Sequence, residues 1–178
     1  MSLNAIPSRR SARPVRTPVP VPSDFQSLDH AHRAALGMLE HLDFLVRRLV
    51  DLGMDDEVRR QAGEVLAYFN GPGLDHHAQE ERLVFPTLLA SDDTALVQHV
   101  HRLQQDHGWI EEDWRELSPQ IEAIAGGYNW YDLAMLRHAL PVFTALYQEH
   151  IALEESLVYP AAKAQQALLK AGAQARSG

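Results

Sequence analysis

The chain has 178 residues, 10 histidines, no cysteine and a formal charge of −8. That length suits one domain with tails, and the lack of cysteine excludes disulfides, thiolate zinc sites, iron–sulfur clusters and cysteine nucleophiles. A membrane span would need a run of about 18 apolar residues, which the sequence does not contain, and the N-terminus has no signal-peptide core, so the cytoplasm is the expected compartment.

Residues 1–22 hold Arg9, Arg10, Arg13 and Arg16 and no acid, which leaves a net −12 on the remainder. Pro7, Pro14, Pro18, Pro20 and Pro22 keep this segment from forming a helix, so it reads as an extended basic arm. It is expected to be a solvated tail lying on the acidic body; an electrostatic tether for acidic partners is the alternative. The acidic body argues against a nucleic-acid surface.

From Ser23 to about residue 160 the pattern is helical. Ser23-Asp24-Phe25-Gln26 has the form of a capping box. Leu28, Ala31, Ala35, Leu39, Leu42, Leu45, Val46 and Leu49 follow at three- and four-residue steps, which predicts a first helix over 24–51 that ends near Gly53. A second helix begins around Asp55, is broken or kinked at Asn70-Gly71-Pro72-Gly73, and resumes to about Ala90. Ser91-Asp92-Asp93 caps a third over 94–125, bent at Pro119 and stopped by Gly126-Gly127. A fourth runs from about Trp130 to Tyr159 with a kink at Pro141, and a short helix over 161–172 precedes the tail that ends at 178. With no sustained two-residue alternation, no sheet is expected. Four long helices on short connections predict an all-α, antiparallel up-down four-helix bundle.

The most informative feature is an internal repeat. His76-His-Ala-Gln-Glu-Glu-Arg-Leu-Val-Phe-Pro86 aligns without gaps on His150-Ile-Ala-Leu-Glu-Glu-Ser-Leu-Val-Tyr-Pro160, with seven of eleven positions identical. Upstream, Leu28-x3-His32 matches Leu103-x3-His107. His32 precedes His76 by 44 residues, and His107 precedes His150 by 43. The chain therefore reads as two helical hairpins of one design.

His and Glu four residues apart lie one helical turn apart on the same face, about 6 Å along the axis. Two hairpins packed by pseudo-two-fold symmetry would bring His76/Glu80 and His150/Glu154 to the bundle axis, with His32 and His107 arriving from the other two helices. Two carboxylates can bridge two cations, leaving two imidazoles for each. Imidazole and carboxylate without sulfur suit Fe, Mn or Zn, and the open positions would admit water, dioxygen, peroxide or nitric oxide. Iron is the expected metal, with zinc or manganese as alternatives. Singly, each such residue is ordinary; jointly, burying so many ionisable groups without a cation would be costly.

The other histidines lack matched partners. His30 points about 200° around the helix from His32. His41, His99, His101 and His138 have no equivalent in the other half. His77, replaced by Ile151 in the second copy, is read as a neighbour of the ligands or as surface. Glu81 and Glu155 are read as exposed charge, with hydrogen bonding to ligand imidazoles or an extra metal oxygen as alternatives. Phe69, Phe143 and Trp114 are read as core around the same layer, and Tyr147 as a hydrogen-bond partner for a metal-bound ligand. Trp109, Tyr128, Trp130 and Tyr131 are read as packing or surface. There is no G-x-G-x-x-G, P-loop, G-x-S-x-G or H-E-x-x-H motif.

At these residues the sequence resembles the hemerythrin-like proteins, specifically the bacterial HHE cation-binding domain, over about 24–160. The motif is a first-helix histidine, H-x3-E-E, a third-helix histidine and a second H-x3-E-E, here His32, His76, Glu80, His107, His150 and Glu154. The resemblance implies an up-down bundle with a non-haem di-iron centre. It also implies a role among oxygen carriage, oxygen or iron sensing, nitric-oxide chemistry and iron–sulfur repair. The pattern departs from the oxygen carriers, which place two histidines one turn apart on the third helix and end on an aspartate; here Leu103 and Glu111 flank His107, and the last acid is Glu154. The lack of cysteine speaks against repair by thiol chemistry. The expected function is a metal protein that meets O2, peroxide or NO as sensor, scavenger or redox catalyst. A helical interaction module braced by a redox-silent dinuclear site, for example zinc, is the alternative.

Overall fold

A computed structural model describes residues 25–175. The expected basic arm, the Ser23 and Asp24 caps and residues 176–178 lie outside the described residues. Helix α1 spans Gln26–Leu52, α2 Asp56–Phe69, α3 Pro72–Leu83, α4 Phe85–Leu88, α5 Thr94–Ala125 and α6 Leu133–Leu153. A π-helical turn, Glu154–Val158, joins α6 to α7, Tyr159–Gln174. No strand occurs among the described residues.

The helix ends follow local chemistry. Asp55 accepts from the Val58 N–H, Asp93 from Ala95 and Leu96, and Asp132 from Met135, each satisfying an orphan donor of the first turn. The Asp132 cap sets the start of α6 at Leu133, three residues later than the expected Trp130. Gly53 and Gly127 leave α1 and α5 with φ of +79° and +73°, the left-handed region open to glycine. Pro72 sits in the first turn of α3, where its missing N–H costs nothing. Helices α5 and α6 each run as one helix through Pro119 and Pro141. The change in the fourth helix comes later, where the Tyr159 N–H bonds the Glu154 carbonyl five residues back.

α1 packs on α2, α2 on α5, α5 on α6, and α6 returns to α1, which closes a four-helix bundle. Two apolar layers fill it. The larger includes Ala35, Leu42, Leu45, Phe69, Ile110, Trp114, Ile121, Phe143 and Tyr147. The smaller joins Phe25, Leu28, Phe85, Leu88, Leu103, Val158 and Tyr159. Each of the four long helical arms crosses from one layer to the other. His32 falls between Leu28 and Ala35, His107 between Leu103 and Ile110, His76 between Phe69 and Phe85, and His150 between Tyr147 and Val158. The polar residues of the repeat are thus trapped between two dry layers.

Candidate metal centre

His32, Glu80 and Glu154 are fully shielded from solvent, and His76, His107 and His150 are at most 3% exposed. Four Nε2 atoms face two carboxylates. Glu80 Oε2 lies 3.6 Å from His76 on its own helix and 3.4 Å from His107 in the other half. Glu154 Oε2 lies 3.3 Å from His150 on its own helix and 3.1 Å from His32 in the other half. The donors form two four-residue groups, His32/His76/Glu80/Glu154 and Glu80/His107/His150/Glu154, each with ligand atoms within 4.8 Å of one another. Both glutamates belong to both groups, which is the arrangement a pair of bridging carboxylates requires. The imidazoles pair accordingly, with ring centroids 4.8 Å apart for His32 and His76 and 4.7 Å for His107 and His150.

The outer nitrogens explain the second acid of each E-E doublet. His32 Nδ1 is 3.0 Å from Glu155 Oε1, and His107 Nδ1 is 3.1 Å from Glu81 Oε1. Both acids are exposed, as expected, and both also make the hydrogen bond to a ligand imidazole that was the alternative. The pairing crosses between halves: the second repeat's Glu155 serves the first repeat's His32, and the first repeat's Glu81 serves His107. A carboxylate can only accept, so each Nδ1 carries the N–H and each Nε2 is turned inward. The second-half His150 has Asp106 Oδ2 at 3.9 Å from its Nδ1.

These inward atoms fit a cation and little else. Nε2 of His76, His107 and His150, Oε2 of Glu80 and both oxygens of Glu154 are buried without a hydrogen-bond partner. Lone pairs facing carboxylate oxygens in a dry layer are unfavourable unless a positive charge lies between them. Burial pushes Glu154 well above the ordinary carboxylate range, and neighbouring Glu80 adds to the rise. Burial also acts to raise Glu80, but nearby His107 and His76 and the Tyr159 hydroxyl outweigh it and hold Glu80 below that range. Burial pushes His76 down to about 4 against the opposing pull of Glu80, and it lowers His150 although Asp106 acts the other way.

His77 is buried beside the ligands. Its ring stacks on His107 at 4.1 Å and 15°, and its Nε2 lies 3.2 Å from the Tyr147 hydroxyl. Although His77 can be grouped with His107 and His150, stacked rings aim their in-plane lone pairs side by side and not at one point. The Tyr147 hydroxyl therefore meets His77, where a partner for a metal-bound ligand was expected. Phe69, Trp114, Phe143 and Tyr147 form an aromatic floor beneath the cluster, with centroids 4.9–6.0 Å apart. Trp114 Nε1 donates to Asn70 Oδ1. On the opposite side Phe85 stacks on His107, and Tyr159 stacks on His32. The Tyr159 hydroxyl donates to Glu80 Oε1 and lies 3.1 Å from His32 Nε2. Sequence reasoning passed over this oxygen and over Asp106; the one signal was the Phe/Tyr difference between the two repeats.

His30, His101 and His138 are exposed, and His41 and His99 are half-buried away from the cluster. Trp109, Tyr128 and Trp130 are exposed, and Tyr128 stacks with Trp130. A pocket of about 420 Å³ between α3 and α5, lined by His77, Glu81, His107 and Glu111, opens to the His107 side of the cluster. A second of similar volume between α1 and α6, lined by Leu39, Asp43, Leu140 and Pro141, reaches none of the site side chains.

Fold and site together define an all-helical bundle with a buried His/Glu cluster able to hold metal. The family model of the hemerythrin HHE cation-binding domain matches residues 23–162, and the chain belongs to that family. It is 29% identical over 126 residues to an uncharacterized protein of Haemophilus influenzae, covering 71% of each chain. No solved structure matches. No helix among the described residues is long and apolar enough to cross a membrane.

Proposed function

We propose that this protein holds two iron ions between its hairpins, one on His32 and His76 and one on His107 and His150, with Glu80 and Glu154 bridging both. What carries the reading is that each of the two donor groups contains both buried glutamates. Four protein ligands per ion leave coordination positions open, and a pair of irons so held would supply oxygen, peroxide or nitric-oxide chemistry. The chain's own residues prepare the site. Glu155 and Glu81 fix the orientation of His32 and His107. The aromatic floor excludes water, and the opening beside His77 and His107 admits a small molecule. The role is that of a sensor, scavenger or redox protein in the cytoplasm.

The test is metal analysis of protein purified without added metal, paired with visible absorption. The expected result is iron, with bands that change on reduction and again on exposure to air or NO. Zinc alone, with no spectral response to reductant or gas, would favour a structural metal in a helical interaction module and overturn the redox reading.

A further inference from the structure

We propose that the phenol oxygen of Tyr159 is a seventh metal ligand, bound to the cation held by His32 and His76. This rests on the metal-centre reading above and extends it to a residue that histidine and carboxylate patterns do not reach. The Tyr159 oxygen lies among the donor atoms: it is 3.1 Å from His32 Nε2 and hydrogen-bonded to Glu80 Oε1. Two donors each about 2.1 Å from one metal and at right angles stand about 3 Å apart, so the Tyr159–His32 separation is that of neighbouring ligands.

The orientation of His32 leads to the same place. Glu155 accepts from His32 Nδ1, so Nε2 is the nitrogen turned toward the donor atoms. The phenol has one proton and gives it to Glu80. With that proton directed to Glu80, the phenol oxygen keeps lone pairs on the side of His32 Nε2, 3.1 Å away, where a shared cation would fit. When the cation binds, it displaces the phenol proton, which leaves to water. The ring cannot swing aside, because it is 1% exposed, stacked on His32 at an interplanar angle of 10° and met edge-on by Phe25. Tyr147, the other buried tyrosine near the cluster, spends its hydroxyl on His77.

The first repeat puts Phe85 at the equivalent place, stacked on His107 with no oxygen to offer. The two cations are consequently unlike. The His32/His76 ion gains a fifth protein ligand, an anionic oxygen of a kind that binds iron in other proteins. The His107/His150 ion keeps its open positions, on the side where the α3–α5 pocket reaches His107.

The experiment loads the full chain anaerobically with Fe(II), oxidises it in air, and records iron content, visible absorption and resonance Raman spectra. The expected result is a broad phenolate-to-Fe(III) band whose excitation enhances tyrosine ring modes. Those modes shift when the chain is made with ring-deuterated tyrosine. Tyr159→Phe loses the band and the modes with iron content unchanged, and Tyr147→Phe keeps both. Iron-loaded protein without enhanced ring modes, or modes that survive Tyr159→Phe, overturns the assignment. The deuterated unaltered chain keeps the test decisive if Tyr159→Phe does not fold, because among the described tyrosines Tyr159 alone places its oxygen at the donor atoms. A chain that takes up no metal at all overturns the metal-centre reading and this ligand with it, a result distinct from iron bound without phenolate.

Discussion

The two halves of the bundle agree at their inner faces and differ just outside them. Each supplies a histidine from its first helix and a His/Glu pair from its second, and each lends its outer glutamate to the other half's histidine. Around this shared frame, Phe85 stands where the second half has Tyr159, and His77 where the second half has Ile151. Asp106 Oδ2 lies 3.9 Å from His150 Nδ1, and neither that nitrogen nor His76 Nδ1 has a hydrogen-bond partner. Matched inner residues are what a pair of cations demands; unmatched surroundings allow the two positions to differ in charge, access and redox behaviour. Repetition thus marks what two cations would share, and departures from it mark what would distinguish them.

The shared frame breaks most completely at the bridges. Glu80→Ala or Glu154→Ala should lose both metals, because each carboxylate belongs to both donor groups; metal analysis of folded protein checks this, and retention of one full equivalent would contradict bridging. Acid should act next, on the metal-free chain. His76, His77 and His150 are all held below the ordinary histidine value, chiefly by burial, His76 to about 4. Between that value and about 6.5 the unfolded chain binds more protons than the folded one, so stability is lost as pH falls through this window. The raised Glu154 acts in the opposite sense, one group against three. Urea midpoints should therefore drop from pH 6.5 to 4.5, and a rise would mean the imidazoles are not buried neutral.

A subtler test is the exchange of outer glutamates. Glu155→Gln should weaken the His32/His76 metal by about tenfold and Glu81→Gln the His107/His150 metal by a similar factor, read by chelator competition. If each change instead weakened the metal of its own half, the crossed pairing would be wrong. The smallest effect belongs to unmatched histidines: His30→Ala, His41→Ala and His138→Ala should leave metal content unchanged.

The bundle and the convergence of six side chains were legible in the sequence because both depend on helical period. Leu28, Ala35, Leu42 and Leu49 mark one stripe, and His32 lies within it; His76 and Glu80 share a face by spacing alone. Repetition then turned four individually ordinary histidines into one set. What escaped depends on how helices are rotated against one another. Nothing local tells that Glu155 reaches α1 or that Glu81 reaches α5, and Asp106 is informative only once α5 and α6 are packed. The π turn at Glu154–Val158 has no periodic signature, and it carries the helix through to Tyr159, where Pro160 had suggested a stop. The Tyr159 hydroxyl was a one-atom difference inside an otherwise matching motif.

Six side chains are proposed to hold two cations, with both glutamates between them. Anomalous diffraction from iron-loaded crystals, collected on either side of the iron absorption edge, tests it most directly. Two iron peaks per chain are expected, one at His32 and His76 and the other at His107 and His150, with Glu80 and Glu154 reaching both. A single peak, or iron bound only at exposed histidines such as His101 or His138, would contradict it.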